Sequence, residues 1–424
     1  MSSDDLAING GTPIRTAPFP PWPHFEEEEK QAVRAVLDSD DVNYHRGDWG
    51  IRFETAFARW CGVRYGLAVT NGGAALQAAV AACGVGPGDE VVVPPHTYIA
   101  SDLAPVWLNA RPVFADIDAA TLNICADTIR PVITERTRAI VAVHMYGRPC
   151  DMDEIMALAA EHDLLVVEDV AQAHGATYKG KRTGSLGHIA AFSFCQTKHM
   201  TTGGEGGMVV TDDLELARLA RAAAHYGSRY DRPDEAGRWQ GSTGPSVLGW
   251  NLRMTEMQAA IGLTVLGRLD EMVARRRELA AHLTAGLVES AAIDPIPDGP
   301  DRTHSFFRYD CLFDQDAVTC TRDEFVRAVA SHADFLGVSR DSAMEKTLFA
   351  VDELCGFLMA CAYVRPQGIH GMTPKSVKKK MKTPAFAAAI DRDELRHGAE
   401  ELGVNFDEHL AWSGRGRLGH FHHP

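Results

Sequence analysis

Short apolar runs rich in β-branched residues alternate along this chain with longer apolar or amphipathic stretches. Leu67 to Thr70 comes before an alanine-rich stretch from Gly73 to Cys83, and Glu90 to Val93 follows the turn Gly86-Pro87-Gly88-Asp89. Pro112 to Ala115, Ala139 to Val143, Leu164 to Val167 and Ala190 to Ser193 continue the series. Such short β-branched runs predict strands. With helices between them, they predict an α/β domain built on a mainly parallel sheet, in which ligands gather at the carboxyl ends of strands.

The flanking regions read differently. A proline-rich opening (Pro18, Pro20, Pro21, Pro23) leads to an acidic helix start at Phe25 to Glu29 and a polar loop from Asn43 to Gly50. Ile261 to Leu287 predicts one long helix that leaves the large domain, and Phe306 to Phe313 predicts a strand of a smaller one. This divides the chain into a large domain over 1–260, a linking helix and the start of a small domain over 261–330, and a helical, basic segment with a loose tail over 331–424.

Composition narrows the class of protein. The chain has 424 residues, 45% of them hydrophobic and 23% charged, enough to bury a large core and a smaller one. No apolar run reaches the roughly 18 residues of a membrane span, and the acidic start Met1-Ser2-Ser3-Asp4-Asp5 is unlike a signal peptide, so a cytoplasmic location is expected. Nine scattered cysteines without a C-x-x-C pair fit reduced thiols better than disulfides or a zinc site, so no metal is expected. A formal net charge of −15 argues against nucleic acid as a partner.

Several strand ends carry candidate chemistry. Lys198 lies between the strand ending at Phe194 and the glycine-rich turn Gly203 to Gly207, so a fixed backbone would hold its amine, and it is a candidate Schiff-base nucleophile. Thr70 to Leu76 places Gly72 and Gly73 where a strand meets a helix; this suits a phosphate, and equally suits a plain tight turn. Glu168 and Asp169 end an apolar strand, where a buried carboxylate needs a donor or a cation. Asp169 could pair with a protonated pyridine nitrogen, with Gln172 near the ring's substituents, or it could cap a helix. Tyr98 could cover a planar ring or simply pack, and His96 beside it is a weaker candidate. Asn251 could cap the helix that begins near Thr255.

These motifs occur in a fixed order: TNGGAAL, PPHTYIAS, EDVAQAHGA, SFCQTKHMTTGGEGG and GWNLRMTEMQAA. From about residue 7 to about residue 330 that order resembles the DegT/DnrJ/StrS family of pyridoxal-phosphate sugar aminotransferases, of fold type I. The resemblance implies that Lys198 forms the Schiff base with pyridoxal 5'-phosphate, that Asp169 pairs with the pyridine nitrogen, and that Gln172 lies near the ring hydroxyl. It implies that Tyr98 stacks on the ring, that Gly72, Gly73 and Ser193 hold the phosphate, and that Asn251 reaches it from the neighbouring subunit of a homodimer. Gly73 departs from the pattern, since the family often has Ser or Thr there, which would remove a hydroxyl contact. The reaction implied is ping-pong transamination from glutamate or glutamine to a nucleotide-linked keto-sugar or a keto-cyclitol, as in amino-sugar or antibiotic biosynthesis. Loops around Asn43 to Trp49 and His304 would choose the acceptor.

The rival expectations are a non-catalytic protein that keeps the fold, with the basic Lys375 to Lys382 run as a binding tail, and a dehydratase. In the family's dehydratases a histidine takes the lysine position, which Lys198 argues against. From about residue 331 to 410 the sequence resembles the closing part of small HD-domain phosphohydrolase-like proteins. His332 and Asp352 match that pattern, but its earlier His-Asp pair has no counterpart, and a metal site lacking most ligands should not work. A helical tail is therefore expected instead of a hydrolase.

Overall fold

The computed structural model describes residues 21–317 except 246, 288, 289, 291, 297 and 300. The expectations placed on residues 331–424, including His332, Asp352 and the lysine-rich run, lie outside the described residues, as do Pro18 and Pro20.

The strands are β1 (Tyr65–Val69), β2 (Glu90–Val93), β3 (Arg111–Phe114), β4 (Thr137–Val143), β5 (Leu165–Asp169), the two-residue β6 (Thr177–Tyr178) and β7 (Lys181–Arg182), β8 (Ile189–Ser193) and β9 (Gly207–Thr211). Helices α1 (Glu27–Asp38), α2 (Trp49–Cys61), α3 (Gly72–Ala82), α4 (Ala100–Val106), α5 (Ala126–Ile129), α6 (Met152–Glu161), α7 (Leu214–Ala224), α8 (Glu256–Leu266) and α9 (Leu269–Leu287) surround them. Seven strands form one sheet in the order β1-β9-β8-β5-β4-β2-β3. The pairs β2 with β3, β2 with β4, β4 with β5 and β5 with β8 are parallel, whereas β9 runs antiparallel to both β1 and β8. The expected mainly parallel α/β sheet is what forms.

Both faces of the sheet's inner strands are covered, which is why they read as continuous apolar runs, whereas β3 at the edge is only partly buried. Ile189 and Ala191 of β8 join one core with α3 and α7. The alternate residues Ala190 and Phe192 join the opposite core, with Phe53 and Phe57 of α2 and Ala259 of α8. A third core packs α6 against Val92, Ile140 and Val166. Alanines dominate the sheet-facing side of α3, from Ala74 to Ala82, so the helix approaches closely and its amino terminus is fixed at the end of β1. Asn71 caps that terminus by accepting a hydrogen bond from the Ala74 amide at 2.8 Å.

Two expectations are corrected. The helix foreseen from Ile261 to Leu287 is two helices, α8 and α9, separated at Gly267 and Arg268. There the backbone tightens, with Gly267 and Arg268 donating to carbonyls three residues back, and Arg268 is drawn to Glu26 and to Glu29 of α1. Of the strand foreseen from Phe306 to Phe313, only β14 (Cys311–Phe313) forms, paired with β12 (Ile293–Pro295). Two-residue β13 (Arg302–Thr303) pairs with β6, and the hairpin β10 (Ser228–Pro233) and β11 (Trp239–Pro245) lies elsewhere in the chain. Phe306 has φ of 50°, outside the extended region, and the amides of Ser305 and Phe307 are taken by Gly147 and Tyr146 carbonyls. Backbone partners from β4's far end thus replace a ladder.

Candidate active site

Adjacent carboxyl ends of β4, β5 and β8 share register, with Val143 opposite Asp169 and Asp169 opposite Ala191. They open into a cleft of about 820 Å³ that also receives the start of α3 and the loop before α4.

Lys198 is held as its setting predicted. The amides of Phe194 and Gln196 donate to Gly206 and Gly204, so the segment after β8 is laced to the turn before β9. That turn passes through φ of 93° at Gly203 and 115° at Gly204, a region that glycine enters without strain. The Lys198 Nζ lies 4.4 Å from the centre of the Phe307 ring. Burial lowers the amine's proton affinity, and Asp169 and Cys195 partly oppose this. A less basic amine is a better nucleophile at neutral pH.

The acidic pair divides its work because successive strand residues face opposite ways. Glu168 points into the protein and accepts from the amides of Gly184, Leu186 and Gly187 and from His144. Asp169 faces the cleft, where its Oδ2 accepts from the Ser101 hydroxyl at 2.7 Å and its Oδ1 from the Ala171 amide at 3.0 Å. No helix begins there, so the capping alternative for Asp169 falls. Gln172 also lines the cleft, and its Oε1 accepts from the Tyr146 amide at 3.0 Å.

At the opposite end Gly72, Gly73 and Ser193 meet. A Cβ on Gly72 would stand 2.5 Å from the Ser193 Cβ, so the bare backbone is required by the close approach of α3 to β8. A Cβ on Gly73 would meet the Trp107 ring and the Asn71 side chain at 3.3 Å. Tyr98 lines the cleft and is 69% exposed, so it is not packed into the core of its own chain.

Asn251 is separate from this group. It is exposed, bridges to His225, and is not part of the cleft wall of its own chain. Nor does it cap α8, because Thr255 does so by accepting from the Gln258 amide. His96 and the loop from Asn43 to Trp49 likewise lie outside the wall. His304 is buried against Asp310, whereas its neighbours Phe307 and Arg308 do reach the cleft.

Several site residues escaped the sequence reading. Ser101 was within reach of it, lying three residues past Tyr98 and so on the same side of a helical turn. Tyr146, with φ of 57°, and Phe307 and Arg308, more than a hundred residues from Lys198, carry no local signal.

This cleft fits pyridoxal 5'-phosphate. It offers an amine, a carboxylate that accepts from the Ser101 hydroxyl and the Ala171 amide, and a glycine-serine end where a Cβ on Gly72 is excluded. Comparison with known proteins agrees. Residues 23–338 match the DegT/DnrJ/EryC1/StrS aminotransferase family, a narrower amino-terminal and slightly longer carboxyl-terminal extent than the motifs suggested. The chain is 44% identical over 261 residues to a GDP-perosamine synthase of Caulobacter vibrioides, covering 61% of this chain and 66% of that protein. It is 39% identical over 303 residues to the L-glutamine:2-deoxy-scyllo-inosose aminotransferase of Streptomyces fradiae, covering 68% and 69%. An aminotransferase structure from Psychrobacter cryohalolentis aligns with a TM-score of 0.69 at 37% identity, covering 90% of this chain and 97% of that one. Lysine, aspartate and glycine turn thus stand on the scaffold that these relatives share, and the chain belongs to the DegT/DnrJ/EryC1/StrS aminotransferase family, whose cofactor is pyridoxal 5'-phosphate.

Proposed function

We propose that this protein moves an amino group from glutamate or glutamine to a nucleotide-linked keto-sugar or a keto-cyclitol, working as a cytoplasmic homodimer. The observation that carries this reading is the convergence of Lys198 and Asp169 on one cleft from the ends of two adjacent parallel strands. Bound pyridoxal phosphate supplies an electron sink for the substrate's α-carbon. The chain supplies the rest. Asp169 keeps a proton on the pyridine nitrogen, and the amides near Gly72 and Gly73, with Ser193, hold the phosphate. Tyr98 covers a ring face, and Gln172 contacts the ring hydroxyl. Lys198, with its partly desolvated amine, would carry the proton from the α-carbon.

A dimer is supported by what the chain leaves exposed. Tyr98, Ile99, Val106 and Trp107, on and beside α4 at the cleft, are each at least 40% exposed, and Leu248 is 78% exposed. A second copy would cover such apolar surface and bring its own Asn251 to the phosphate. Light scattering tests the dimer. The function is tested by a visible absorbance band that Lys198→Ala removes and that glutamate or glutamine bleaches in the wild type. No lysine-dependent band, or a band indifferent to both donors, refutes it and favours a protein that only keeps the fold.

A further inference from the structure

Lys198 and Arg308 are the two cationic side chains in the cleft wall. The arginines elsewhere in the described chain are mostly paired: Arg64, Arg111, Arg136, Arg221 and Arg302 each contact a carboxylate. Arg308 makes no ion pair with any described residue, although it stands on a well-anchored backbone. The Phe307 and Arg308 amides both donate to the Tyr146 carbonyl, at 2.8 and 3.4 Å, and the Tyr146 amide is fixed by Gln172. On the other side the Ser305 carbonyl bonds with the buried His199 ring at 3.0 Å, which ties this segment to the residue after Lys198. The Phe307 ring then serves both cations, with the Lys198 Nζ 4.4 Å and the Arg308 guanidinium 5.8 Å from its centre.

We infer that Arg308 receives the α-carboxylate of the amino donor and thereby presents the donor's amine at Lys198. This deepens the aminotransferase reading and rests on it. A guanidinium without an ion-pair partner among the described residues, held at the edge of a reaction cleft, is suited to a planar oxyanion that it can grip with two parallel hydrogen bonds. Three substrate oxyanions are available in this chemistry: the donor's α-carboxylate, the side-chain carboxylate when the donor is glutamate, and an acceptor's phosphate. The first is favoured by position. An α-carboxylate sits on the very carbon that bears the reacting amine, so its receptor must lie close to the lysine, whereas a nucleotide's phosphates lie beyond the sugar ring. Because Arg308 and Lys198 flank the same phenyl ring, the arrangement meets the nearer requirement. Arg308 also contributes to the depressed proton affinity of Lys198, a repulsion that a bound carboxylate would relieve.

The test uses holoenzyme, Arg308→Gln and Arg308→Lys. The donor half-reaction is followed by the absorbance change on mixing with glutamine or glutamate, and with their α-carboxamides, which keep the amine but lose the charge. Arg308→Gln should raise the half-saturating concentration of the amino acids about 10- to 100-fold, the loss of a charge-assisted contact. Arg308→Lys should restore part of it, and the carboxamides should not distinguish the three proteins. Equal losses for acid and carboxamide, no loss at all, or a loss confined to the acceptor half-reaction would each overturn the assignment, the last in favour of a phosphate site. Calorimetric binding of glutarate, which cannot react, keeps the two readings separate. If the wild type fails to react with donors but binds glutarate at least 10-fold more tightly than Arg308→Gln does, the carboxylate site stands and the aminotransferase reading falls. If glutarate binds both proteins alike, the site itself is refuted.

Discussion

Glu168 and Asp169 are adjacent carboxylates on one strand, and their separate roles can be pulled apart by two isosteric changes. Glu168 is fully buried and surrounded by donors: three amides, from Gly184, Leu186 and Gly187, and the His144 ring. His144 Nδ1 accepts from the Cys150 amide at 3.1 Å, so its proton is on Nε2 and is donated to Glu168. In Glu168→Gln the remaining oxygen can keep Leu186 and Gly187, but the amide nitrogen then faces the Gly184 amide and the His144 proton. Two buried donors are left without acceptors, at about 1–3 kcal/mol each, so a loss of about 4 kcal/mol is expected. At about 2–3 °C per kcal/mol for a unit of this size, the melting temperature should fall by roughly 10 °C. Asp169→Asn keeps the Ala171 bond and can donate to the Ser101 hydroxyl instead of accepting from it, so it should cost no more than about 1 kcal/mol. Its effect should fall on the cofactor, because a neutral amide cannot hold the pyridine proton. Calorimetry with bound pyridoxal phosphate quantified per folded molecule reads both changes. A melting temperature within about 2 °C of wild type for Glu168→Gln, or undiminished cofactor affinity in Asp169→Asn, would refute this division.

Other consequences follow from the same geometry. Gly72→Ala should weaken cofactor binding at least about 10-fold, because its Cβ would come within 2.5 Å of the Ser193 Cβ. Removing that side chain in Gly72→Ala/Ser193→Gly should recover stability in thermal melts, although not the serine's own contact. Gly73→Ser meets only side-chain atoms at 3.3 Å that can give way, so its added hydroxyl should tighten cofactor binding about 2- to 10-fold in a spectral titration. Burial lowers the His174 proton affinity to a pKa of about 3, below its usual 6.5. The unfolded chain therefore takes up this proton first as pH falls, and the stability present above about pH 6.5 is lost progressively towards pH 3. Denaturant melts at about pH 7.5 and pH 5 should show His174→Phe losing about 2 kcal/mol less than wild type across that interval. Equal slopes would show that the histidine does not titrate on unfolding.

Much of this protein was determined by local pattern. Each strand of the central sheet foreseen from its apolar run forms within two residues of its expected limits, and the inner strands β2, β4, β5 and β8 are almost wholly buried, whereas the edge strand β3 is not. Lys198, Gly72, Gly73, Ser193, Tyr98, Asp169 and Gln172 all reach one cleft, because each sits at a strand end and parallel strands bring those ends together. Tertiary structure decided the rest. Pattern could not say which of two adjacent carboxylates faces the ligand, since that depends on which face of β5 carries the donors from Gly184 to Gly187. Nor could it break the helix at Gly267, where the ion pairs of Arg268 come from Glu29 of α1 and from Glu26 just before it. Phe307 and Arg308 read as part of a strand and became cleft wall, because the Gly147 and Tyr146 carbonyls claimed the amides that a ladder would have used. The last two choices depend on partners more than a hundred residues away and the first on donors 16 to 19 residues further along, and only the folded chain brings them into reach.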